Sequence, residues 1–263
     1  MGKYMKHECK NVSRTAGFAL IYLAIITALF AFVTKVDLTV IPVLGIVITV
    51  LVSLIYVLSI AAISLAAALY IAIHFYRTIY GDEGYLTQML PLTKHQIVFA
   101  KGAVSSLWLF LISLAGIASI LIQFLVLSPS EFLEIVVKLG FNGDFWGEFA
   151  KFCNDTFHVS VPVFILLLVL LLLVLLVFAV NSLYASVALG QLWKNYPIPG
   201  AIIAYIVVNV LYTLLLVGFV NVADGTFMEF LPLILSFIAV HVLLDVATFF
   251  CTSCIMKYQL NMK

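Results

Sequence analysis

Charge is the scarcest feature of this chain. Lys, Arg, Asp and Glu together supply 10% of its 263 residues, against 65% apolar residues and a mean hydropathy of +1.24, a mix that excludes an ordinary soluble domain. No Gly-x-x-x-x-Gly-Lys-Ser/Thr phosphate loop occurs, so the chain is not expected to hydrolyse ATP or to act as an enzyme by itself. The five histidines, His7, His74, His95, His158 and His241, are scattered and form no His-Glu-x-x-His zinc-protease pattern. Cysteines number only four. Cys251 and Cys254 have no second cysteine or histidine pair to complete a zinc site, while Cys9 and Cys153 stand alone. No internal repeat of fixed period marks an inverted-repeat secondary transporter. The net charge of +1 argues neither for nor against an anionic partner, and no nucleic-acid partner is expected.

What the chain has instead is six apolar stretches, at about 15–34, 39–74, 97–127, 159–189, 199–220 and 227–256. Each can cross a hydrocarbon core of ~30 Å. The expected fold is therefore all-α: one polytopic membrane domain over 1–263 with six transmembrane helices and both termini cytoplasmic. Residues 1–14 form a basic lead-in with Lys3, Lys6, Lys10 and Arg14, expected as a short amphipathic helix resting Tyr4, Met5 and Val12 in the interface. The stretch at 15–34 is read as a retained span, since no small-residue cleavage site follows it. The second stretch is long enough, at roughly 54 Å as one helix, to project beyond the membrane. Its Ala61-Ala62 and Ala66-Ala67-Ala68 runs suit close helix approach. The Phe164 to Phe178 run has no polar face and is expected to meet lipid or other apolar helices.

Charge placement sets the expected orientation. Lys3, Lys6, Lys10, Arg14, Arg77, Lys94, Lys101, Lys194, Lys257 and Lys263 fall on one face, and Lys35, Lys138 and Lys151 on the other. The richer face is the cytoplasmic one by the positive-inside rule. On the opposite face lies a polar insertion at 128–158. There Ser130 is expected to cap a helix through Lys138, Gly140 with Asn142-Gly143 to turn the chain, and Phe145, Trp146, Phe149 and Phe152 to line one face of a surface helix. A plain surface cover and a substrate gate are both open readings.

The cytoplasmic loop at 76–96 is the most informative polar segment. Asp82 is placed to cap a short helix with Glu83 in its first turn, since a carboxylate favours the positive end of the helix dipole. Pro91 is expected to end that helix near Met89, after about two turns, with Tyr85, Leu86, Met89 and Leu90 on one small apolar face. A second helix then starts with Thr93 as cap, Gln96 closing a capping box, and Leu92 with Ile97 as a hydrophobic staple. Such an element can press on a soluble partner or lie on the bilayer surface.

The run from Tyr80 to Thr87 (Tyr-Gly-Asp-Glu-Gly-Tyr-Leu-Thr), then Leu90-Pro91-Leu92-Thr93 and Lys101, resembles the first cytoplasmic loop of type-2 ABC transporter permeases, especially small bacterial six-span ones. Gly190-Gln191 before Lys194, and the short basic tail after Met256, are weaker similarities to the same family. The resemblance implies a permease subunit of an ABC exporter in the bacterial plasma membrane, moving a peptide or other amphipathic substrate out of the cytoplasm. It implies that Asp82, Glu83, Tyr85, Leu86, Met89 and Leu90 dock on a separate ABC ATPase subunit, present in two copies and holding ATP and Mg. A second permease chain, identical or related, and the lipid bilayer complete the implied assembly. No cofactor is expected on this chain.

One intramembrane pair stands apart. His241 and Asp245 lie four residues apart in the last span, on one helical face and within reach of a mutual hydrogen bond. Ionisable groups inside a membrane are costly and default to a functional reading. A proton relay or a polar spot on a transport path is one reading; a mutually satisfied pair that locks packing is the other. Gln123, Asn181 and Asn209 read as interhelical hydrogen bonds. The relay reading leads to an alternative function, a self-sufficient secondary transporter or channel. A membrane immunity or scaffold protein that moves nothing is a further one.

Overall fold

The computed structural model describes residues 1–35, 42–81, 83–141, 143–193, 195–225 and 230–260. Among them the ordered elements are helices: α1 (Gly2–Lys35), α2 (Pro42–Ile79), α3 (Gly84–Gln88), α4 (Lys94–Leu127), α5 (Pro129–Phe141), α6 (Gly143–Phe157), α7 (Val161–Gly190), α8 (Pro197–Gly225) and α9 (Phe230–Leu260). Six of these, α1, α2, α4, α7, α8 and α9, are long and apolar enough to cross a membrane. The fold is an all-α, polytopic membrane architecture.

Three boundaries differ from the sequence expectation, each for a local reason. The lead-in at 1–14 is no separate interfacial helix but the first turns of a 34-residue α1. No proline interrupts the run there, and Val12 is buried while Tyr4 and Met5 are partly so. Helix α2 has 38 residues, about 57 Å at 1.5 Å per residue, and carries Tyr76 to Ile79 with it. The connection to α4 therefore shrinks to 80–93. In the 128–158 insertion, Pro129 rather than a residue after Ser130 opens α5. Proline suits a first helical position because its missing N–H is an orphan there anyway, so Ser130 sits inside the helix instead of capping it. The Lys138 and Gly140 region continues helical to Phe141, and Asn142 lies outside the described residues.

The chain divides into two compact units. One comprises Met1–Glu8, Tyr70–Ser106 and Glu148–Lys263. In it α7 packs against α8 and α9, with Leu167, Ile234 and Ile238 buried together. Phe75 stacks on Tyr184 at 4.0 Å between ring centroids, and the Tyr184 hydroxyl pairs with Ser105 Oγ at 2.8 Å. At the other end of α7, Phe157 packs on Phe164 and Phe230 at 5.2 and 4.2 Å, and the preceding Cys153 is fully buried. His158, at φ 53°, ends α6 in the left-handed conformation, its N–H bonding the Asn154 carbonyl at 3.1 Å.

The other unit comprises Cys9–Leu69 and Leu107–Gly147. Its apolar cluster joins Ala16, Leu23, Ile63, Ala67 and Ile112. Of the alanines expected to bring helices together, only Ala67 is buried, while Ala61, Ala62 and Ala66 are exposed. Beside that cluster runs a polar seam that the sequence hinted at only through Gln123. Thr27 Oγ1 and Tyr56 Oη both pair with Ser119 Oγ, at 2.6 and 2.5 Å, and Gln123 Nε2 donates to the Thr27 carbonyl at 2.7 Å. Hydroxyls and an amide N–H paired across helices in this way hold span packing without charge.

Candidate functional site

Helix α2 delivers the chain directly into the site. The N–H groups of Tyr80 and Gly81 both donate to the Tyr76 carbonyl, at 2.8 and 3.0 Å, and Gly84 N–H bonds the Gly81 carbonyl at 2.9 Å. This tight turn sets α3 against the end of α2. A Cβ at Gly84 would stand 2.3 Å from the Ile79 carbonyl oxygen, and one at Gly81 would stand 2.8 Å from that of Arg77. Neither glycine has a positive φ, so both are required by close approach. Gly84→Ala should impose about 1–3 kcal/mol of local overpacking. The expected readout is a tenfold or greater rise in protease cleavage within 80–93, at roughly tenfold per 1.4 kcal/mol of local opening. Unchanged cleavage would show that α3 does not depend on this contact.

Helix α3 itself is shorter than the sequence suggested. Glu83 occupies its N-cap position without a side-chain cap bond, and Met89 is its C-cap, with an N–H to the Tyr85 carbonyl at 3.2 Å. Asp82, the expected cap, lies outside the described residues. Leu90 falls in the bend before Pro91, because proline disfavours helical geometry in the residue ahead of it; the apolar face thus loses its fourth helical member. Tyr85, Leu86 and Met89 are 65%, 68% and 63% exposed, and Leu90 is also exposed. Glu83 stands 3.9 Å from Arg77, both largely in solvent, a pair that contributes little.

The exit from the site follows the capping-box expectation. Gln96 N–H donates to Thr93 Oγ1 at 3.3 Å, and Thr93 N–H donates to Gln96 Oε1 at 3.1 Å. His95, in the first turn of α4, lies against Phe249 and Phe250 of α9, at 6.1 and 5.8 Å between rings. Tyr80 is packed edge-on to Phe75 at 6.3 Å, and burial pushes its phenol pKa up, keeping it neutral. The two ends of the 80–93 segment are thus seated, while its apolar middle faces outward.

A buried charge cluster lies behind this segment, and sequence reasoning missed it. Glu8 of α1 accepts from Lys101 Nζ on α4 at 2.5 Å through Oε1 and lies 3.1 Å from His74 Nε2 on α2 through Oε2. Lys101 is 2% exposed and Glu8 6%. Tyr4, one turn before Glu8, places its ring 5.9 Å from the Lys101 ammonium. The signal available in the sequence was Lys101 itself, enclosed by Phe99, Ala100, Ala103 and Val104. A charge in such a setting demands a partner, but nothing local says where that partner is.

The intramembrane pair resolves differently from the expected mutual bond. His241, fully buried, has Nδ1 2.8 Å from the Phe237 carbonyl and Nε2 2.6 Å from the Tyr212 hydroxyl of α8. A carbonyl only accepts, so in the neutral ring Nδ1 carries the proton and Nε2 accepts from Tyr212. Asp245 instead accepts from Asn181 Nδ2 of α7 at 3.0 Å. The shared helical face is real, yet each side chain turns to a donor on a different neighbour. Asn181 is interhelical as expected, whereas Asn209 donates to Tyr205 O in its own helix. Among the described residues no group of His, Cys, Asp and Glu could hold a metal ion.

Comparison with protein-family models, with curated proteins and with solved structures finds no match to this chain.

Proposed function

We propose that this chain is the permease subunit of an ABC exporter, with α3 and its flanking turns as the docking element for a separate ATPase subunit. The observation that carries this reading is the outward apolar face of Tyr85, Leu86 and Met89 on a segment whose two ends are fixed by the Gly81 and Gly84 contacts and by the capping box. An apolar face in a loose loop can fold away, but here both anchors hold it outward. The resemblance of 80–101 to the first cytoplasmic loop of type-2 ABC permeases names the partner. The exporter's substrate is a peptide or other amphipathic molecule, and two permease chains pair with two ATPases at the bacterial plasma membrane, termini inside.

In this mechanism ATP-driven closure of the ATPases moves α3, and the 38-residue α2 carries that motion to the path between the two permease chains. The single-helix continuity from Pro42 to Ile79 supports that role, since no proline or break interrupts it after its first residue. Leu86→Asp combined with Met89→Asp is expected to leave membrane insertion intact and to reduce copurification of an ABC ATPase by at least tenfold, a loss of about 1.4 kcal/mol or more in binding. Unchanged copurification together with unchanged export would exclude docking through this face.

The partners of His241 weigh against the alternative of a self-sufficient transporter. With Nδ1 and Nε2 both engaged away from Asp245, the pair forms no direct relay. The same polar contacts serve to lock α8 and α7 onto α9.

A further inference from the structure

We infer that Glu8 is a positioning residue for the docking element, setting the spacing of the two helices from which α3 hangs; this rests on the proposed role of α3. His74 lies about one and a half turns before the end of α2, and Lys101 about two turns after the start of α4. The 80–93 segment joins those two ends. Glu8 binds both donors with one carboxylate, Oε2 to His74 and Oε1 to Lys101, so its two oxygens bridge the entrance and exit of the segment.

Each donor is also held from another side. His74 stacks on Tyr70 of its own helix at 5.7 Å, and Lys101 lies over the Tyr4 ring. Tyr4 and Glu8 are one helical turn apart on α1, so a single face of the N-terminal turns grips the ammonium. Stability alone gives little reason for charge here, because well-packed apolar residues often replace a buried ion pair at no loss. Directional, charge-assisted hydrogen bonds do what apolar packing does not: they select one distance and orientation between the helices they join. The N-terminal turns of α1 thereby become part of the docking machinery.

The test places spin labels at Ile73 and Phe99, which are 53% and 54% exposed, on the full chain in nanodiscs with the four native cysteines replaced by alanine. Pulsed dipolar spectroscopy should give one narrow distance with Glu8 present. In the chain carrying Glu8→Leu and Lys101→Met, which removes the charges without stranding either, the distribution should widen at least twofold, and capture of the ATPase should fall with it. A distribution as narrow as that of the parent chain overturns the inference. Should that chain aggregate, Glu8→Met alone removes both acceptor oxygens at similar side-chain volume, and an unchanged width there overturns it equally. If the parent chain captures no ATPase while the widths still differ, the docking reading falls and the spacing role stands. If the ATPase is captured and the widths agree, only the role of Glu8 falls.

Discussion

Glu8→Ala is expected to lower the stability of the chain by about 3–5 kcal/mol, because it leaves the Lys101 ammonium buried with no counter-charge. Lys101 is 2% exposed, so it cannot regain water by a simple rotamer change. Its remaining neighbour on α1 is the Tyr4 ring, 5.9 Å away, which offers a quadrupole and not a full charge. The measurement is a heat challenge in mild detergent followed by fluorescence size-exclusion, where the midpoint should drop by on the order of ten degrees. Lys101→Ala strands Glu8 instead and should approach the same loss, although His74 can still donate to Oε2. Glu8→Leu with Lys101→Met should recover most of the midpoint, since neither ion then needs compensation. If Glu8→Ala melted with the parent chain, the buried bridge would not contribute to the stability of the fold.

Gly190→Ala should likewise destabilise the chain strongly, by about 3 kcal/mol, at the turn between α7 and α8. A Cβ there would stand 2.4 Å from the backbone nitrogen of Ala201 and 2.6 Å from its Cα. Backbone atoms cannot rotate aside, so the two helices must separate, and overpacking of this kind costs about 1–3 kcal/mol or more. The adjacent Gly200 grades the effect. Its Cβ would meet Trp193 Cε3 at 3.0 Å and the Gly190 carbonyl oxygen at 3.1 Å, contacts that a small shift of ring and turn can relieve. Gly218, in the same α8, has nothing within 4 Å of a Cβ, and alanine there should gain up to about 1 kcal/mol of helix propensity. The expected order of melting midpoints is Gly218→Ala highest, then Gly200→Ala, then Gly190→Ala. A Gly190→Ala midpoint equal to that of Gly200→Ala would remove the close approach of α7 and α8 as its cause.

The two effects differ in how they could be foreseen. Gly190 sits in a Gly-Gln-Leu-Trp turn between two apolar runs, and glycine at such a place already suggests a helix end. The sequence does not say that Ala201 comes back against it. Glu8 gives even less warning, standing among Lys3, Lys6, Lys10 and Arg14, where a short amphipathic helix resting in the interface is the natural reading.

Features that depend on neighbours within a few residues and on bulk hydropathy are legible in the amino-acid order. Apolar runs of sufficient length become the long helices, because backbone groups in hydrocarbon have no other partners. Ser128-Pro129 ends α4 at Leu127, where the sequence placed the stop. Thr93 and Gln96 close their capping box three residues apart, a contact that needs no tertiary information. That Tyr85, Leu86 and Met89 share one face likewise follows from helical spacing beside a proline, although its outward direction does not. Which buried polar groups meet depends instead on the packing of helices distant in sequence. Glu8 and Lys101 are 93 positions apart, Glu8 and His74 66, and Asn181 and Asp245 64. No period or short motif encodes such pairings; they follow from which helices lie side by side. The His241 and Asp245 pair shows the limit plainly, for spacing put both on one face, while the positions of Tyr212 and Asn181 on neighbouring helices chose their partners.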